Sequence, residues 1–408
     1  MNKIYLQYYN FIIDNKRFLT FGFLLMFFSS FGQTFFISLF SKEIRLEFSL
    51  SHGEFGYIYS AGTLLSGITI IWIGKLIDHI KLKIFTLFTF VGLIVATIFI
   101  SKIPSALMLF PAIYFLRLFG QGLMSHTAMT SVSSYFDINR GKALSIVILG
   151  LPIGEAILPL LTVILISIFG WRDTWSFAGL ILILASIPIL TLLLKNHSKI
   201  SEDPNSKKLI KGENFKLSIK NILKDSKFYI IAFSIISPPF ILTGLFFHQV
   251  HIADSKGWSL IWLASTFLGY SITTIFASLI SGNLIDKYGA YKILPYYLLP
   301  LSISLILIIL LNHPIIAIPY MIFAGATIGI GNTLTNAIWA EIYGIKMLGA
   351  IMSISLSVMV LSSSLSPIIF GVLLDIGVNI EKIAFGCLVY ILISTLFLFT
   401  STSMKKKL

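Results

Sequence analysis

Two full charges, Arg117 and Glu155, stand in the middle of long apolar stretches of this sequence. Ionisable side chains inside a membrane are costly and mark function by default. At about 1.5 Å of rise per residue, both lie roughly 17 to 18 Å below the outer ends of their predicted helices, so they could pair. The planar fork of Arg117 suits a carboxylate. A desolvated Glu155 could alternate between a protonated and an Arg-paired state, as a proton carrier must. A structural ion pair that locks two helices is the competing explanation.

Uncharged polar residues recur four positions apart along several apolar stretches. The sets are Ser29 with Gln33, Ser30 with Thr34, Arg117 with Gln121 and Ser125, Tyr270 with Thr274, and Asn332 with Asn336. Residues at this spacing share a helical face. The pattern predicts that they line a central water-filled cleft and contact the substrate. Ordinary hydrogen bonding between helices explains any single pair equally well.

Histidine and cysteine add no further chemistry to this interpretation. His126 is predicted to point away from the face of Arg117 and to serve packing. His248 and His251 could ligate a metal, but no ligand cluster accompanies them, which favours a structural or mouth-lining role. Cys387 is the only cysteine, so an intrachain disulfide is excluded. Without a nucleophile–base pair or a phosphate-binding loop, we predict no enzyme, no metal and no cofactor.

The elements that must position these residues are membrane helices. Hydrophobic residues make up 56% of the chain and charged residues 12%, which is more apolar and less charged than the average soluble globular protein. The net charge of +13 does not indicate nucleic acid, because the basic residues lie in short loops between apolar stretches. Twelve stretches can each cross a hydrocarbon layer of ~30 Å as a helix. They lie near residues 18–40, 54–76, 84–101, 105–134, 142–168, 174–194, 228–250, 259–285, 291–311, 314–340, 348–373 and 381–403.

Two local features refine this layout. The pair Pro238 and Pro239 predicts a broken or kinked seventh helix, whose freed backbone groups must find other partners. The single long polar segment separates a predicted N-terminal bundle, residues 1–195, from a C-terminal bundle, residues 228–408. This linker, residues 196–227, carries apolar and lysine stripes that predict a helix lying on the inner leaflet. A solvated tether is the alternative.

The distribution of Lys and Arg sets the predicted orientation. Basic residues concentrate in the segments that lie inside when both termini are cytoplasmic. We therefore predict a multi-pass protein of the cytoplasmic (inner) membrane with both termini in the cytoplasm. Its expected partners are the lipid bilayer, a small-molecule substrate and a coupling proton, and we expect a monomer.

An internal repeat organises the chain. GKLIDHIKLK, which begins at Gly74, has a near copy in GNLIDKYGAYK, which begins at Gly282, about half the chain further on. Gly120 and Pro159 in the first half likewise correspond to Gly329 and Pro367 in the second. The chain is therefore predicted to consist of two copies of one half-length unit. The positions equivalent to the two buried charges hold Ala326 and Ser363. A charge that served only the duplicated scaffold is expected in both halves, so this asymmetry favours function.

The repeated motif, Gly-x-Leu-x-Asp-basic-x-Gly-x-basic-basic, resembles the signature of the major facilitator superfamily of secondary transporters. The second copy keeps Gly282, Leu284, Asp286, Lys287, Gly289 and Lys292. The first copy has Lys81 in place of the second glycine and Leu82 in place of a basic residue. The resemblance implies an all-α membrane protein of twelve transmembrane helices in two pseudo-symmetric six-helix bundles. It also implies gating at the inner surface by Gly74, Asp78, Lys83, Arg140, Gly282, Asp286, Lys287 and Gly289.

Shorter resemblances suggest roles for particular residues. RLFGQG, which starts at Arg117, resembles the superfamily's fourth-helix motif, whose Arg is often linked to proton coupling. This implies a coupling or substrate-anion role for Arg117. FFHQVHIADSKG and AEIYGIKMLGAI are similar to the monocarboxylate and oxalate–formate branch. The eighth and eleventh spans lack the basic residue on which that branch often relies, which argues against a dicarboxylate.

These observations predict a secondary active transporter of a small organic solute that works by alternating access. The specific hypothesis is a monocarboxylate-like anion moved with a proton. An efflux pump for amphipathic compounds has the same fold, and the aromatic residues Tyr57, Tyr59, Tyr270 and Trp339 would suit it. A channel or a non-transporting membrane sensor is the alternative from another class.

Overall fold

The computed structural model describes residues 2–136, 139–195, 222, 224–344 and 347–404. These ranges are almost entirely helical and contain no β-strand. The chain forms two compact units. The first takes Met1–Phe40 and Ala61–Asp203, and the second takes Ser41–Ser60 and Pro204–Leu408. The predicted helix on the inner leaflet falls largely outside the described residues.

Both long and short helices occur along the sequence. Before the linker they are α1 (Asn2–Phe28), α2 (Thr34–Ile37), α3 (Ser41–Phe48), α4 (His52–Ile73), α5 (Leu82–Lys102), α6 (Leu109–Phe115), α7 (Ser125–Tyr135), α8 (Arg140–Val147) and α9 (Gly150–Pro188). After it they are α10 (Ser226–Ile235), α11 (Ser237–Phe247), α12 (Gln249–Lys256), α13 (Leu260–Tyr288), α14 (Ala290–Ile293), α15 (Leu299–Leu310), α16 (Ala317–Tyr343), α17 (Leu348–Asp375) and α18 (Ile380–Met404). A π-helix, Leu116–Met124, joins α6 to α7.

The number of membrane crossings follows from lengths and breaks. In the described ranges ten helical stretches are long and apolar enough to cross a membrane, or eleven when the bent pair Tyr9–Gly32 and Thr34–Phe48 is one crossing. One of them, Arg140–Leu193, has 54 residues. At about 1.5 Å per residue it runs for roughly 80 Å, far beyond one hydrocarbon layer. Gly170 interrupts it with φ 79° and ψ 169°. It therefore holds two crossings, which brings the total to the twelve predicted.

The first membrane helix is broken near its middle. α1 ends at Phe28, a 3₁₀ turn covers Ser29–Gly32, and Gln33 is extended (φ −83°, ψ 155°) before α2 begins. The two limbs bend by 46°. One continuous helix was expected here, so the shared face assigned to Ser29 with Gln33, and to Ser30 with Thr34, is wrong. A four-residue spacing marks one face only where the helix is regular.

The seventh membrane helix is broken as predicted, because α10 ends at Ile235 and α11 begins at Ser237 with proline in its first turn. Pro238 has no N–H, so the Ser234 carbonyl loses its helical donor. The Tyr297 hydroxyl donates to that carbonyl at 2.6 Å and the Ser237 hydroxyl at 2.7 Å. The freed backbone group is thus satisfied by two neutral side chains.

Glycines spaced four apart let helices pack closely within each unit. In the first unit, a Cβ added to Gly150 or Gly154 of α9 would collide with the Phe23 carbonyl or the Ser30 hydroxyl. In the second unit, a Cβ on Gly325 or Gly329 of α16 would collide with backbone carbonyls of α13. Small residues at such interfaces are a general feature of membrane helix packing.

Candidate functional site

Arg117 lies where the break in the first helix meets the π-helix Leu116–Met124. Its side chain is only 3% exposed, and Nη1 donates to the Gly32 carbonyl oxygen at 3.0 Å. In an unbroken helix the Phe36 N–H would donate to Gly32, but here it donates to Gln33 at 3.2 Å. The buried guanidinium therefore satisfies a backbone carbonyl that the break has freed. π-Helical segments occur frequently at functional sites.

The approach is close because glycine stands on both sides. A Cβ added to Gly32 would collide with the Leu116 carbonyl and the Gln121 backbone nitrogen. A Cβ added to Gly120 would come within 2.6 Å of the Gly32 Cα. The two backbones thus touch at this point, and no larger residue fits without moving one of them.

Glu155 approaches the same break from α9. Its side chain is half-buried, and the preceding residue, Gly154, packs against Ser30. Among the described residues, the Glu155 carboxyl group forms no ion pair and no hydrogen bond. The hypothesised pair with Arg117 is therefore not formed in this arrangement of the chain. Both charges nevertheless adjoin one segment, Ser29–Gly32, from two different helices.

Other polar groups surround this break. Gln33 and Gln121 are half-buried. The Ser30 hydroxyl is buried and has no hydrogen-bond partner within the described chain. A buried hydroxyl without a partner costs about 1 to 3 kcal/mol, which a bound polar molecule could recover. A buried cation, a carboxyl, a hydroxyl and two amides could together hold a small anion and a proton.

The polar stripe of the second unit divides into two parts. Thr274 donates to the carbonyls of Tyr270 at 2.9 Å and Gly325 at 3.1 Å, which joins α13 to α16, and Tyr270 is only 4% exposed. Asn332 and Asn336 are exposed on one face of α16, where Asn336 donates to the Asn332 carbonyl at 3.2 Å. Hydrogen bonding between helices therefore accounts for Thr274, and the two asparagines remain available to a solute.

The aromatic residues that would suit an efflux pump are mostly core residues. Tyr59 and Trp339 are fully buried, and the Trp339 indole donates to the Ser355 hydroxyl at 3.2 Å. Tyr57, by contrast, is 63% exposed. These side chains therefore form no common aromatic surface, and their arrangement does not support an efflux pump for amphipathic compounds.

The two copies of the repeated motif differ in their backbones. In the second copy α13 ends at Tyr288, Gly289 has φ 84°, and the Glu341 carboxylate accepts hydrogen bonds from the Ala290 N–H at 2.7 Å and the Tyr291 N–H at 3.3 Å. In the first copy Gly74–Asp78 forms a 3₁₀ turn, and Lys81 has φ −58°. Glycine is thus required only in the second copy, which explains why Lys81 is tolerated in the first.

The charged residues of the predicted inner gate lie on the surface. All are exposed, and within the described ranges none of them forms an ion pair with another. They are Asp78, Lys83, Arg140, Asp286 and Lys287. The Lys287 ammonium lies 5.1 Å from the centre of the Tyr288 ring. Their role in gating stays a prediction.

Several contacts were not anticipated from the sequence. His126 was assigned to packing, but its Nε2 donates to the Gly74 carbonyl at 3.0 Å and so ties the fourth span to the first copy of the motif. His248, predicted to be structural or mouth-lining, donates from Nε2 to the Pro367 carbonyl at 3.1 Å. A second group of polar residues consists of His248 together with Arg45, His52 and Asp375. The signal in the sequence was a charge or histidine at the end of each of three predicted spans.

In the described ranges, helices long enough for twelve membrane crossings and a buried cation at a helix break are the features of a polytopic membrane protein. The sequence profile of the Major Facilitator Superfamily matches residues 22–367 and 240–407. The chain therefore belongs to the major facilitator superfamily of secondary transporters.

Solved structures agree at the level of the fold. The chain is similar to a bacterial homolog to human lysosomal transporter, Spinster, in its inward-facing and occupied conformation, with a TM-score of 0.73, 16% identity, and coverage of 95% of this chain and 96% of that one. The unoccupied conformation of such a homolog gives a TM-score of 0.71, again at 16% identity, with coverage of 95% and 97%. No curated protein sequence matches the chain.

Proposed function

We propose that this protein moves a small organic anion, of the monocarboxylate kind, together with a proton, by alternating access. The observation that carries the proposal is Arg117, a buried cation that donates to a backbone carbonyl at a helix break. A buried charge whose partner is a neutral carbonyl can exchange part of its interactions for a carboxylate, which binds a guanidinium more strongly.

Glu155 is the proposed proton carrier. It is half-buried in a membrane helix and has no ion-pair partner in the described chain, so protonation removes a desolvated charge. In the proposed cycle, a rearrangement from the arrangement described above pairs the carboxylate with Arg117 when the substrate is absent. The carboxylate takes a proton when the substrate anion occupies the guanidinium. The substrate and the proton then move in the same direction.

The remaining parts of the proposal concern the surroundings of this site. Gln33, Gln121, Tyr270, Asn332 and Asn336 contact the solute, and the charged loop residues gate the inner side. The protein is a monomer in the inner membrane, with both termini in the cytoplasm. The excess of Lys and Arg in the predicted inner segments supports this orientation.

The test begins with a thermal-shift screen of the purified protein against small acids, sugars, amino acids and drugs, because a ligand of the folded state raises the melting temperature. Uptake of the best acid into proteoliposomes is then measured under an imposed pH gradient. We expect Arg117→Gln and Glu155→Gln each to abolish proton-driven uptake while the protein still folds.

A matched control is Arg172→Gln. Arg172 also donates to backbone carbonyls, those of Ser101 at 3.0 Å and Ile103 at 2.8 Å, but it is not part of the proposed site. This variant is expected to retain uptake. Size-exclusion profiles and melting curves check the folding of all three proteins. Full proton-driven uptake by both site variants would reject their assignment.

A further inference from the structure

One segment of the N-terminal half is bonded to helices of the second unit. It comprises Ser41–Ser60 and includes α3 and the first turns of α4. The Asp375 carboxylate, at the end of α17, accepts hydrogen bonds from the Ser51 hydroxyl at 2.7 Å, the His52 N–H at 2.9 Å and the Gly53 N–H at 2.8 Å. A carboxylate is favoured at this helix N-terminus by both the free N–H groups and the helix dipole.

The residues at this contact lie so close together that no larger side chain fits at its glycines. A Cβ added to Gly53 would lie 2.7 Å from Asp375 Oδ2, and one added to Gly56 would lie 2.5 Å from the Pro367 carbonyl. On the other side, a Cβ added to Gly371 would lie 2.5 Å from the His52 carbonyl. A small displacement loses this close fit. We call the segment engaged where the fit is kept and released where it is lost.

Three imidazoles lie beside this contact. The ring centre of His52 is 4.7 Å from that of His251 and 5.8 Å from that of His248. Arg45 Nη1 is 2.9 Å from His52 Nδ1. A guanidinium only donates, so this nitrogen must accept and His52 must be neutral. A proton on Nδ1 would remove the hydrogen bond and place two positive charges in contact.

The charges around the histidines come from four helices. Arg45 lies on α3, Asp254 on α12, Asp375 on α17 and Glu381 on α18. Two of the acids are already paired, Asp254 with Lys42 at 2.9 Å and Glu381 with Lys256 at 2.7 Å. A cavity of about 10 Å³, room for about one water molecule, is lined by Ser41, Arg45, His52, Phe55, Phe247, His248 and His251.

We propose that His52 and His251 form a proton-binding site that releases segment Ser41–Ser60 from α12 and α17. Protonation of His52 breaks its bond with Arg45, and a charge on His251 adds to the repulsion. The segment continues directly into helices of the first unit at Phe40 and Ala61, so its release affects the two places where the chain passes from one unit to the other. The site goes beyond the proposed transport function and does not depend on which solute is carried.

The direction of the pH effect follows from linkage. Burial, and then the charge of Arg45, lowers the pKa of His251 below its usual value. The engaged state therefore binds fewer protons than the released state, in which the pKa is about 6.5. Engagement is complete above about pH 6.5 and weakens as the pH falls below that value, by up to about tenfold per pH unit for each proton taken up.

The test measures a distance within the full chain and uses no solute, so its outcome is separate from that of the transport assay. Leu46 and Ile376 are 72% and 70% exposed and can carry spin labels as cysteines in a Cys387→Ala background. Between pH 8 and pH 5 we expect a longer-distance population to grow in the parent protein. The double variant His52→Gln, His251→Gln is expected to keep the short distance throughout. His313→Gln, a histidine outside the group, should respond like the parent.

Two further variants keep the proposal testable if the double variant does not fold. Asp375→Ala should already show the longer distance at pH 8, because it removes the cap of α4. Arg45→Gln should respond less to acid, because protonation of His52 no longer opposes a fixed charge. No change of distance in the parent protein, or the same acid response in the double variant or in Arg45→Gln, would overturn the proposal.

Discussion

Both halves of the chain break their first membrane helix, and each satisfies the freed carbonyl differently. In the N-terminal half the Gly32 carbonyl accepts from Arg117, a cation on a π-helix. In the C-terminal half the Ser234 carbonyl accepts from the hydroxyls of Tyr297 and Ser237. A broken helix thus does not need a charge in order to be stable. The comparison supports a role for Arg117 beyond holding the break together.

The largest effect is expected from Gly32→Ala, which removes the close approach on one side of the comparison. Its Cβ would collide with the Leu116 carbonyl, so one backbone must move. Overpacking of this kind costs typically 1 to 3 kcal/mol, and we expect about 3 kcal/mol here because the obstacle is backbone. Melting curves in detergent measure the loss. Gly331→Ala is the control, since nothing lies within 4 Å of its added Cβ. An equal loss in both variants would contradict the role given to the contact.

A second prediction separates charge from hydrogen bonding. Tyr297→Phe removes one of two donors to the Ser234 carbonyl, which should cost about 1 kcal/mol of stability. Proton-driven uptake should stay within about twofold, because this break holds no charge. Arg117→Gln should abolish uptake. If Tyr297→Phe reduced uptake as severely, the distinction between the two breaks would be lost.

The two motif copies provide a third comparison. Gly289→Ala places a side chain at φ 84°, which should cost about 1 to 2 kcal/mol. Lys81→Ala, at the equivalent position, should change the melting temperature little, because its φ is −58°. Glu341→Ala should cost about 1 kcal/mol through loss of the cap on α14. If Gly289→Ala and Lys81→Ala changed the melting temperature equally little, the difference in backbone conformation between the two copies would not contribute to stability.

The last and most local effect concerns His126. His126→Phe keeps an aromatic ring at this position but loses the N–H donor to the Gly74 carbonyl. We therefore expect the free energy of unfolding to fall by about 1 kcal/mol. Hydrogen exchange at residues 74–78 should rise, whereas exchange at the second copy should not. Unchanged exchange in the first copy would return His126 to the packing role assigned from the sequence.

The sequence was sufficient where local chemistry decides the structure. Apolar length predicted the spans, and Pro238 with Pro239 predicted the broken seventh helix, because proline removes a donor in any context. The first-helix break could not be predicted, since no proline lies near Gln33. It depends on the contact of Gly32 with Gly120, far away along the chain.

The same limit applies to the candidate sites. Arg117 and Glu155 could be proposed as site residues because a charge within an apolar stretch is visible in the sequence itself. The group around His52 was not, because Asp375 lies 323 residues away from the N–H group that it accepts from. Residues that end different spans carry no shared local pattern, so only the tertiary structure brings them together.

The π-helix makes the geometry of the fourth span sensitive to the deletion of a single residue. Its hydrogen bonds reach one residue further than those of an α-helix, whereas the corresponding helix of the other half, Ala317–Tyr343, is a regular α-helix. Deleting one residue between Leu116 and Met124 would restore the shorter ladder and turn everything beyond it by about 100°. The inner part of this span, His126 included, would then face a different neighbour. The presence or absence of one residue in the π-helix thus sets the rotation of the inner end of the span relative to the end that carries Arg117.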